Sequence, residues 1–600
     1  MEMDPAALFT LIVTIIAAVL LITEVLRPDL VALLVLIALG LSGTVDPQKV
    51  FAGFSGVAVM TLIAISMVGA AMQKTGVTLI LSRWMLRVGK KNIPALTLVT
   101  FLTAAGLSLM MNNIAVVGIM LPAVMTLTRS SGVSPSKLML PLAYGTILGG
   151  MATLFTTSNI VVSGALRDAG FAPFGVLDFL PIGLPLIVIG AVYMLTIGRK
   201  LLPTATTDSH VGLLSQLGER LTNLYDLKRN LTEIIVLPES PLAGKTISAG
   251  DWRKKVGLTI IGIIRNGQSY LGPKRSEVVK AGDRLMVHGL IDPNNLIEFH
   301  LAVVQGNPTE PNVINEVVKL AEVIIPPHSS VNGKTLRDLN FREKYHLTVI
   351  AVWRGTCPVE EPLVDLQLQA GDALLVQGTA RRIRLLHGET DLVLLEEDPD
   401  AILEPGKIYL AVGIMLASLI IAATEVVPVP VVILAGAVLL VVTGCMNMND
   451  AYRSIEWKVI FLIAGMWPLS TAIRDTGLAS IAVNSLLGLL GNISPIWIAL
   501  AFILVAMLMT QVMGGQVAAL VVAPLALAAA ASLQLDSRAL AMTVALGCSL
   551  AFPTPYGHPV NIMVMSPGGY NFQTFSRIGI PLTILVILGI LAGIFIFWGL

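Results

Sequence analysis

Charge is what this sequence has least of. Of its 600 residues, 39 are Lys or Arg and 38 are Asp or Glu, 13% in all, where soluble proteins carry about 25%. That shortage excludes a soluble globular chain of this length. The net charge of +1 and the lack of any basic tract exclude nucleic acid as a partner. Cysteine is equally scarce. Cys357, Cys445 and Cys548 lie far apart and form no CxxC, which leaves neither a disulfide framework nor a zinc site. The seven histidines are scattered without an HExxH, and no nucleophile–base constellation or metal cluster emerges, so an enzyme is not expected.

What is abundant is apolar. The chain is 55% hydrophobic with a mean hydropathy of +0.82, the composition of a polytopic membrane protein. The first apolar run follows Glu2 and Asp4, without a basic flank or a small-residue cleavage site, and reads as a span and not a signal peptide. Charge is concentrated in residues 203–405, which gives a membrane–soluble–membrane plan. Apolar segments fall at 7–24, 30–44, 55–72, 94–128, 138–165 and 177–197, and again at 407–424, 429–444, 457–473, 494–530, 540–564 and 578–600.

The two membrane parts, 1–202 and 406–600, repeat each other. Ser108–Asn159 aligns with Thr510–Asn561 at a spacing of 402 without a gap, with Pro122 on Pro524, Gly145 on Gly547 and Asn159 on Asn561. Upstream the register slips by one, so that Thr75-Gly76 meets Thr476-Gly477. Glu24 and Glu425 recur at segment ends, where a solvated or ion-paired role is expected. Both copies are broken by Gly, Asn and Pro where a membrane helix should run on, and paired interruptions point to a transporter's binding site. Adjacent Asn112-Asn113 in the middle of 94–128 is costly in hydrocarbon unless it lines a polar cavity, as the tip of a re-entrant hairpin would. Each copy then has five crossings, a re-entrant hairpin and a broken helix. Five is odd, so the fold expected is an α-helical polytopic membrane protein of two inverted repeats.

Positive charge sets the orientation. Lys74, Arg83, Arg87, Lys90, Lys91, Arg129, Lys137, Arg199 and Lys200 share one side with the soluble insert. That places 203–405 in the cytoplasm of a plasma (inner) membrane protein, with both termini outside. Stretches 78–90 and 479–491 read as amphipathic interfacial helices.

The insert repeats at a spacing of 89. Gly244-Lys245-Thr246 matches Gly333-Lys334-Thr335, Arg265 matches Arg354, and Ala281-Gly282-Asp283 matches Ala370-Gly371-Asp372. Two α+β domains are expected, at 225–302 and 314–391. The Gly-Lys-Thr pairs lack the P-loop's upstream glycine spacing and are expected to open a turn.

These features resemble the divalent anion:sodium symporter family of sodium–sulfate/carboxylate symporters, in the ion-transporter superfamily. The resemblance covers both membrane parts. Ser108-Leu109-Met110-Met111-Asn112-Asn113-Ile114-Ala115…Leu121-Pro122 is similar to the family's Ser-Asn-Thr hairpin, and Ala551–Asn561 and Pro567–Tyr570 resemble its second break and closing segment. The insert resembles two tandem RCK C-terminal (TrkA-C) domains, which elsewhere bind small regulatory ligands and dimerise. The resemblance implies sodium-coupled symport of a small divalent anion, sulfate or a di- or tricarboxylate, by a homodimer among membrane lipid.

By the same resemblance, a first sodium site uses Ser108, Asn112, Asn113, Gly149 and Gly150. Anion contacts are Asn113, Thr156, Thr157, Ser158 and Asn159 in the first half, and Gly515, Gln516, His558, Pro559 and Asn561 in the second. Asn159 and Asn561 read equally as helix-breaking caps. The second tip reads Gly514-Gly515-Gln516 and lacks the family's central Asn. A second sodium site would rest on Thr510, Met513, Gly515 and Gly557. Physically, broken helices offer backbone N–H groups to an anion, while freed carbonyls suit a hard cation. His558 stands where the family has a small or hydroxyl residue. It is a donor to the anion, a proton-coupling group or a core histidine. The alternatives to sodium symport are a proton-coupled or exchange carrier of this fold and a ligand-gated channel or sensor.

Overall fold

The structure is a computed structural model that describes residues 4–23, 25–76, 92–203, 405–478, 481 and 494–599. Between the two membrane parts it describes 231–250, 252, 256, 258–265, 268–271, 277–288, 293–303, 318–326, 329–354, 357–359, 363–386, 389 and 391–395. The stretches expected as interfacial helices, 78–90 and 479–491, lie outside these residues apart from Ile481. The chain forms two compact units, Met1–Thr204 with Asp400–Leu600, and Ala205–Pro399.

The apolar unit is helical, and its element order recurs. The first half runs α1 (Pro5–Thr23), α2 (Pro28–Leu41), α3 (Val57–Lys74), α4 (Ile93–Ser108), α5 (Asn113–Ser131), α6 (Met139–Met151), α7 (Thr157–Asp168) and α8 (Leu180–Leu201). The second runs α9 (Pro405–Ala423), α10 (Val429–Val442), α11 (Met448–Ser454), α12 (Trp457–Asp475), α13 (Pro495–Leu533), α14 (Ser537–Gly547), α15 (Pro559–Gly568) and α16 (Phe572–Trp598). A short 3-10 turn, Ala52–Ser55, occupies the place of α11 in the first half. Helix α13 is two arms, because Gly514 has φ 78° and ψ 155°, a conformation open to glycine alone. The arms correspond to α4 and α5. By length and hydropathy, four described helices could cross a membrane: Val57–Lys74, Leu180–Leu201, Pro495–Leu533 and Phe572–Trp598. Shorter apolar helices, among them Pro28–Leu41 and Val429–Val442, lie alongside.

Small residues let helices touch through their backbones, the packing favoured where no water drives association. A methyl on Gly145 would stand 2.5 Å from the Phe101 carbonyl, and one on Gly149 would overlap Ala105, so α4 lies directly on α6. The equivalent Gly547 would meet Ile503 at 3.2 Å. Three buried tyrosines then bind the halves together. Tyr144 Oη donates to Phe552 O (3.0 Å), Tyr193 Oη to Ile578 O (2.7 Å) and Tyr570 Oη to Ser136 O (2.7 Å). A separate apolar cluster joins α1, α2 and α12 through Val13, Leu21, Val35, Leu39, Leu462 and Met466.

The second unit holds two five-stranded antiparallel sheets of one design. The first contains β1 (Leu231–Val236), β2 (Thr259–Arg265), β3 (Gln268–Leu271), β4 (Arg284–His288) and β5 (Leu301–Val303), in the order β3-β2-β4-β1-β5. The second contains β6 (Val318–Ile324), β7 (Thr348–Arg354), β8 (Cys357–Pro358), β9 (Ala373–Thr379) and β10 (Val393–Leu394), in the order β10-β6-β9-β7-β8, the same read backwards. Even the bulge repeats, between Ile260 and Gly262 in one sheet and Val349 and Ala351 in the other. Gly244 and Gly333 take positive φ in turns where their N–H groups donate to Val279 O and Leu368 O. The Gly-Lys-Thr segments are therefore turn chemistry.

Candidate functional site

The first break lies between α6 and α7, at residues 152–156. Asn159 holds it together. This fully buried amide donates through Nδ2 to Thr153 O (2.6 Å) and Gly150 O (3.4 Å), and Thr156 Oγ1 donates to Gly150 O (2.6 Å). The backbone N–H groups of Thr157, Ser158 and Asn159 have no acceptor among the described residues. They are the free donors of a helix start, and all three residues are buried.

The tip of the first hairpin meets this break. Ser108 Oγ donates to Asn113 Oδ1 at 2.6 Å. A methyl on Gly150 would lie 2.6 Å from Asn113 Oδ1 and 2.7 Å from Thr156 Oγ1, so Ser108, Asn113, Gly150 and Thr156 converge on one spot. His558, from the second half, closes it. Its Nδ1 accepts from Val560 N–H at 3.2 Å, so the proton of the neutral ring sits on Nε2. Nε2 stands 3.5 Å from Asn113 Nδ2. Two N–H donors thus stand side by side, and neither can accept from the other.

The second break runs from Cys548 to His558, between α14 and α15. Asn561 Nδ2 donates to Ala551 O (2.6 Å) and Thr554 O (3.0 Å). These carbonyls lie ten and seven residues before the amide, against nine and six for Asn159. The ungapped register of 402 therefore holds for the flanking helices and slips by one inside the break. Thr510 Oγ1 donates to Cys548 O (3.2 Å), and Gly515 packs its bare backbone against that same carbonyl. The main tie is Gln511, which sequence reading passed over. Its Nε2 donates to Leu550 O (2.8 Å), and its Oε1 accepts from Thr554 Oγ1 (2.8 Å). A methyl on Gly557 would lie 2.6 Å from Gln511 Oε1. An amide in an apolar arm, one turn before the glycine tip, was the available signal.

Other expected residues stand apart. Asn112 caps α5, its Oδ1 accepting from Ile114 N–H (3.0 Å), and turns its Nδ2 to Glu456 Oε1 (2.8 Å). Met513 packs on the α1–α2–α12 cluster. Gly149 lies under Ala105, Ser158 Oγ lies 3.3 Å from Ser549 Oγ, and Pro559 starts α15. No hydrogen bond joins the Gln516 side chain to a described residue. No group of His, Cys, Asp or Glu among the described residues could hold a metal. The Oδ1 atoms of Asn159 and Asn561 are buried and have no partner. Such neutral oxygens beside freed carbonyls fit a hard, weakly bound cation and not a transition metal.

Comparison with known proteins agrees with this transporter-like geometry. The chain is 33% identical to an uncharacterized transporter of Synechocystis sp., over 96% of this chain and 95% of that one. It is 30% identical to an uncharacterized transporter of Escherichia coli (strain K12), over 97% and 98%. It is 22% identical to sodium/sulfate cotransporter 2 of Chlamydomonas reinhardtii, over 90% and 84%. Residues 18–547 match the citrate transporter family, CitMHS. The chain therefore belongs to that family of membrane transporters, whose members are not enzymes.

Proposed function

We propose that this protein is a secondary active transporter that couples the uptake of a small divalent anion, sulfate or a di- or tricarboxylate, to Na⁺ by alternating access. The observation that carries this reading is the pair Asn113 Nδ2 and His558 Nε2, 3.5 Å apart, with Asn113 and Thr156, the N-cap residue of α7, both flanking Gly150. A helix N-terminus with neutral donors around it favours an anion without a fixed counter-charge. Co-bound Na⁺ supplies the missing positive charge. Ser108 Oγ, Asn113 Oδ1, Gly150 O and Thr156 Oγ1 offer oxygens for one ion, with Asn159 Oδ1 behind them. In the second half Thr510 Oγ1, Gln511 Oε1 and Asn561 Oδ1 offer a poorer set. The names of the Chlamydomonas relatives, sodium/sulfate cotransporters, support both ions.

In this reading the halves are inverted, with five crossings and one hairpin each. Residues 203–405 lie in the cytoplasm as TrkA-C-like regulatory domains under a small ligand, the termini lie outside, and the protein is a homodimer. The test is uptake by purified protein in liposomes. Labelled sulfate, succinate or citrate should accumulate under an inward Na⁺ gradient and not when choline replaces Na⁺. No accumulation of any of them under either a Na⁺ or a proton gradient would overturn the reading. His558 at the site favours one second reading, proton coupling, in which accumulation survives choline and follows the pH gradient.

A further inference from the structure

Glu456 precedes the first residue of α12, and its Oε1 accepts from Asn112 Nδ2 at 2.8 Å. Asn112 is the last residue of the first hairpin tip and caps α5 with its other atom. The contact crosses between two packing groups. Helix α12 is buried against α1 and α2, while the hairpin lies on α6 and the first break. It is the one bond between a hairpin tip and a carboxylate among the described residues.

The repeat makes this contact informative. Upstream of the hairpins the halves align at a spacing of 401, which puts Ser55 opposite Glu456; at the tips the spacing is 402, which puts Gly514 opposite Asn112. Ser55 Oγ donates within its own turn, to Ala52 O at 3.0 Å. Gly514 has no side chain. The pair therefore exists once, although its scaffold exists twice.

We propose that the Asn112–Glu456 bond is a conformational latch that biases the transporter toward the state described here, with Glu456 as a positioning residue. The inference rests on the alternating-access reading above. In an inverted-repeat carrier, the opposite end state exchanges the roles of the two halves. The exchanged contact would be Gly514 with Ser55, which offers neither this donor nor a carboxylate. One end state thus carries an amide-to-carboxyl hydrogen bond that the other lacks, a bias of roughly tenfold in population.

The test uses the full chain with Cys357, Cys445 and Cys548 replaced by Ala, carrying Asn112→Cys and Glu456→Cys. A short, reducible bis-methanethiosulfonate cross-linker, which spans the gap left by the two shortened side chains, should join the two residues and stop anion counterflow, and dithiothreitol should restore it. A bridge formed in high yield that leaves counterflow running would overturn the latch. As a second measurement, Glu456→Ala should change turnover about tenfold with the anion KM held, and Glu456→Gln, which keeps the acceptor, should fall between it and wild type. Equal turnover in all three proteins would also overturn it. Failure of the wild type to move any anion strikes the transport reading instead, so the two failures are distinguishable.

Discussion

Asn159 and Asn561, 402 residues apart, are fully buried, and each donates its Nδ2 to two backbone carbonyls upstream, in the break or the helix end before it. The amide N–H₂ is the feature in use, so Asn→Asp should fail where shape is unchanged. A carboxylate would set an oxygen against Thr153 O or Thr554 O. Asn159→Asp and Asn561→Asp should each abolish transport. Alanine at either site should cost about 1–3 kcal/mol for the stranded carbonyls. Uptake assays and thermal unfolding in detergent would check both, and an active Asp variant would contradict this role.

Gly150 has room for a hydrogen and nothing more. A methyl would stand 2.6 Å from Asn113 Oδ1 and 2.7 Å from Thr156 Oγ1, and both oxygens are fixed by their own hydrogen bonds. Gly150→Ala should reduce transport by more than tenfold, since displaced ligands lose geometry before the fold is lost. Gly106→Ala and Gly413→Ala meet nothing within 4 Å and should transport normally. Wild-type uptake by Gly150→Ala would remove this spot from the site.

His558 is assigned as a donor because its other nitrogen already accepts from Val560 N–H. Gln, which carries an N–H₂ donor, should retain most of the anion affinity. Ala should raise KM by about tenfold, the worth of one hydrogen bond to a charged ligand. Measuring KM and turnover for both variants decides the matter. A Gln variant as weak as Ala would favour a proton-coupling role.

The repeats were legible because their anchors are chemical rarities: Gly, Pro and Asn in apolar helices, and Arg, Asp and Gly at strand ends. The same residues make the contacts, as Gly145 and Gly547 on α4 and α13 show. The one-residue slip inside the second break is hidden in the ungapped alignment, because the helices on either side keep register. Gln511 was overlooked because register drew attention to Gly514–Gln516, and the backbone there packs without needing a side chain. Glu456 gave no signal, since a glutamate at a helix start reads as solvated. Only three-dimensional packing brings it to Asn112.

Tyr570 tests how firmly the halves are joined. Its hydroxyl donates to Ser136 O (2.7 Å) and accepts from Leu140 N–H (3.0 Å) in a fully buried place. Ser136 Oγ and Lys137 Nζ in turn donate to Pro203 O (3.0 Å) and Leu202 O (2.8 Å). Tyr570→Phe strands two backbone groups and should cost about 2–3 kcal/mol, against about 1 kcal/mol for Tyr193→Phe, whose acceptor Ile578 O lies inside α16. Thermal unfolding in detergent would rank them, and equal losses would mean that Leu140 finds another acceptor.

In the second unit, Asp283 Oδ1 accepts from Arg265 Nε (2.8 Å), and Oδ2 accepts from Arg265 Nη2 (2.7 Å) and Lys280 N–H (2.7 Å). Burial alone would raise its pKa, but the guanidinium and the backbone donor outweigh it and hold the carboxyl below its ordinary value. A pKa depressed on folding stabilises above the unfolded value of about 3.9, and that stabilisation is lost as pH falls through the lower folded value. Asp283→Asn should therefore destabilise this domain at pH 7 by about 2 kcal/mol, less than a fully buried pair because Arg265 is partly exposed. The gap between variant and wild type should close as the medium becomes more acidic than the unfolded value. Limited proteolysis of the full-length protein across pH would follow it. The twin pair Arg354–Asp372 has the same geometry, at 2.8 and 2.7 Å, so Asp372→Asn should likewise destabilise the second sheet at pH 7. A gap that stayed constant with pH would show that Asp283 matters for shape and not for charge.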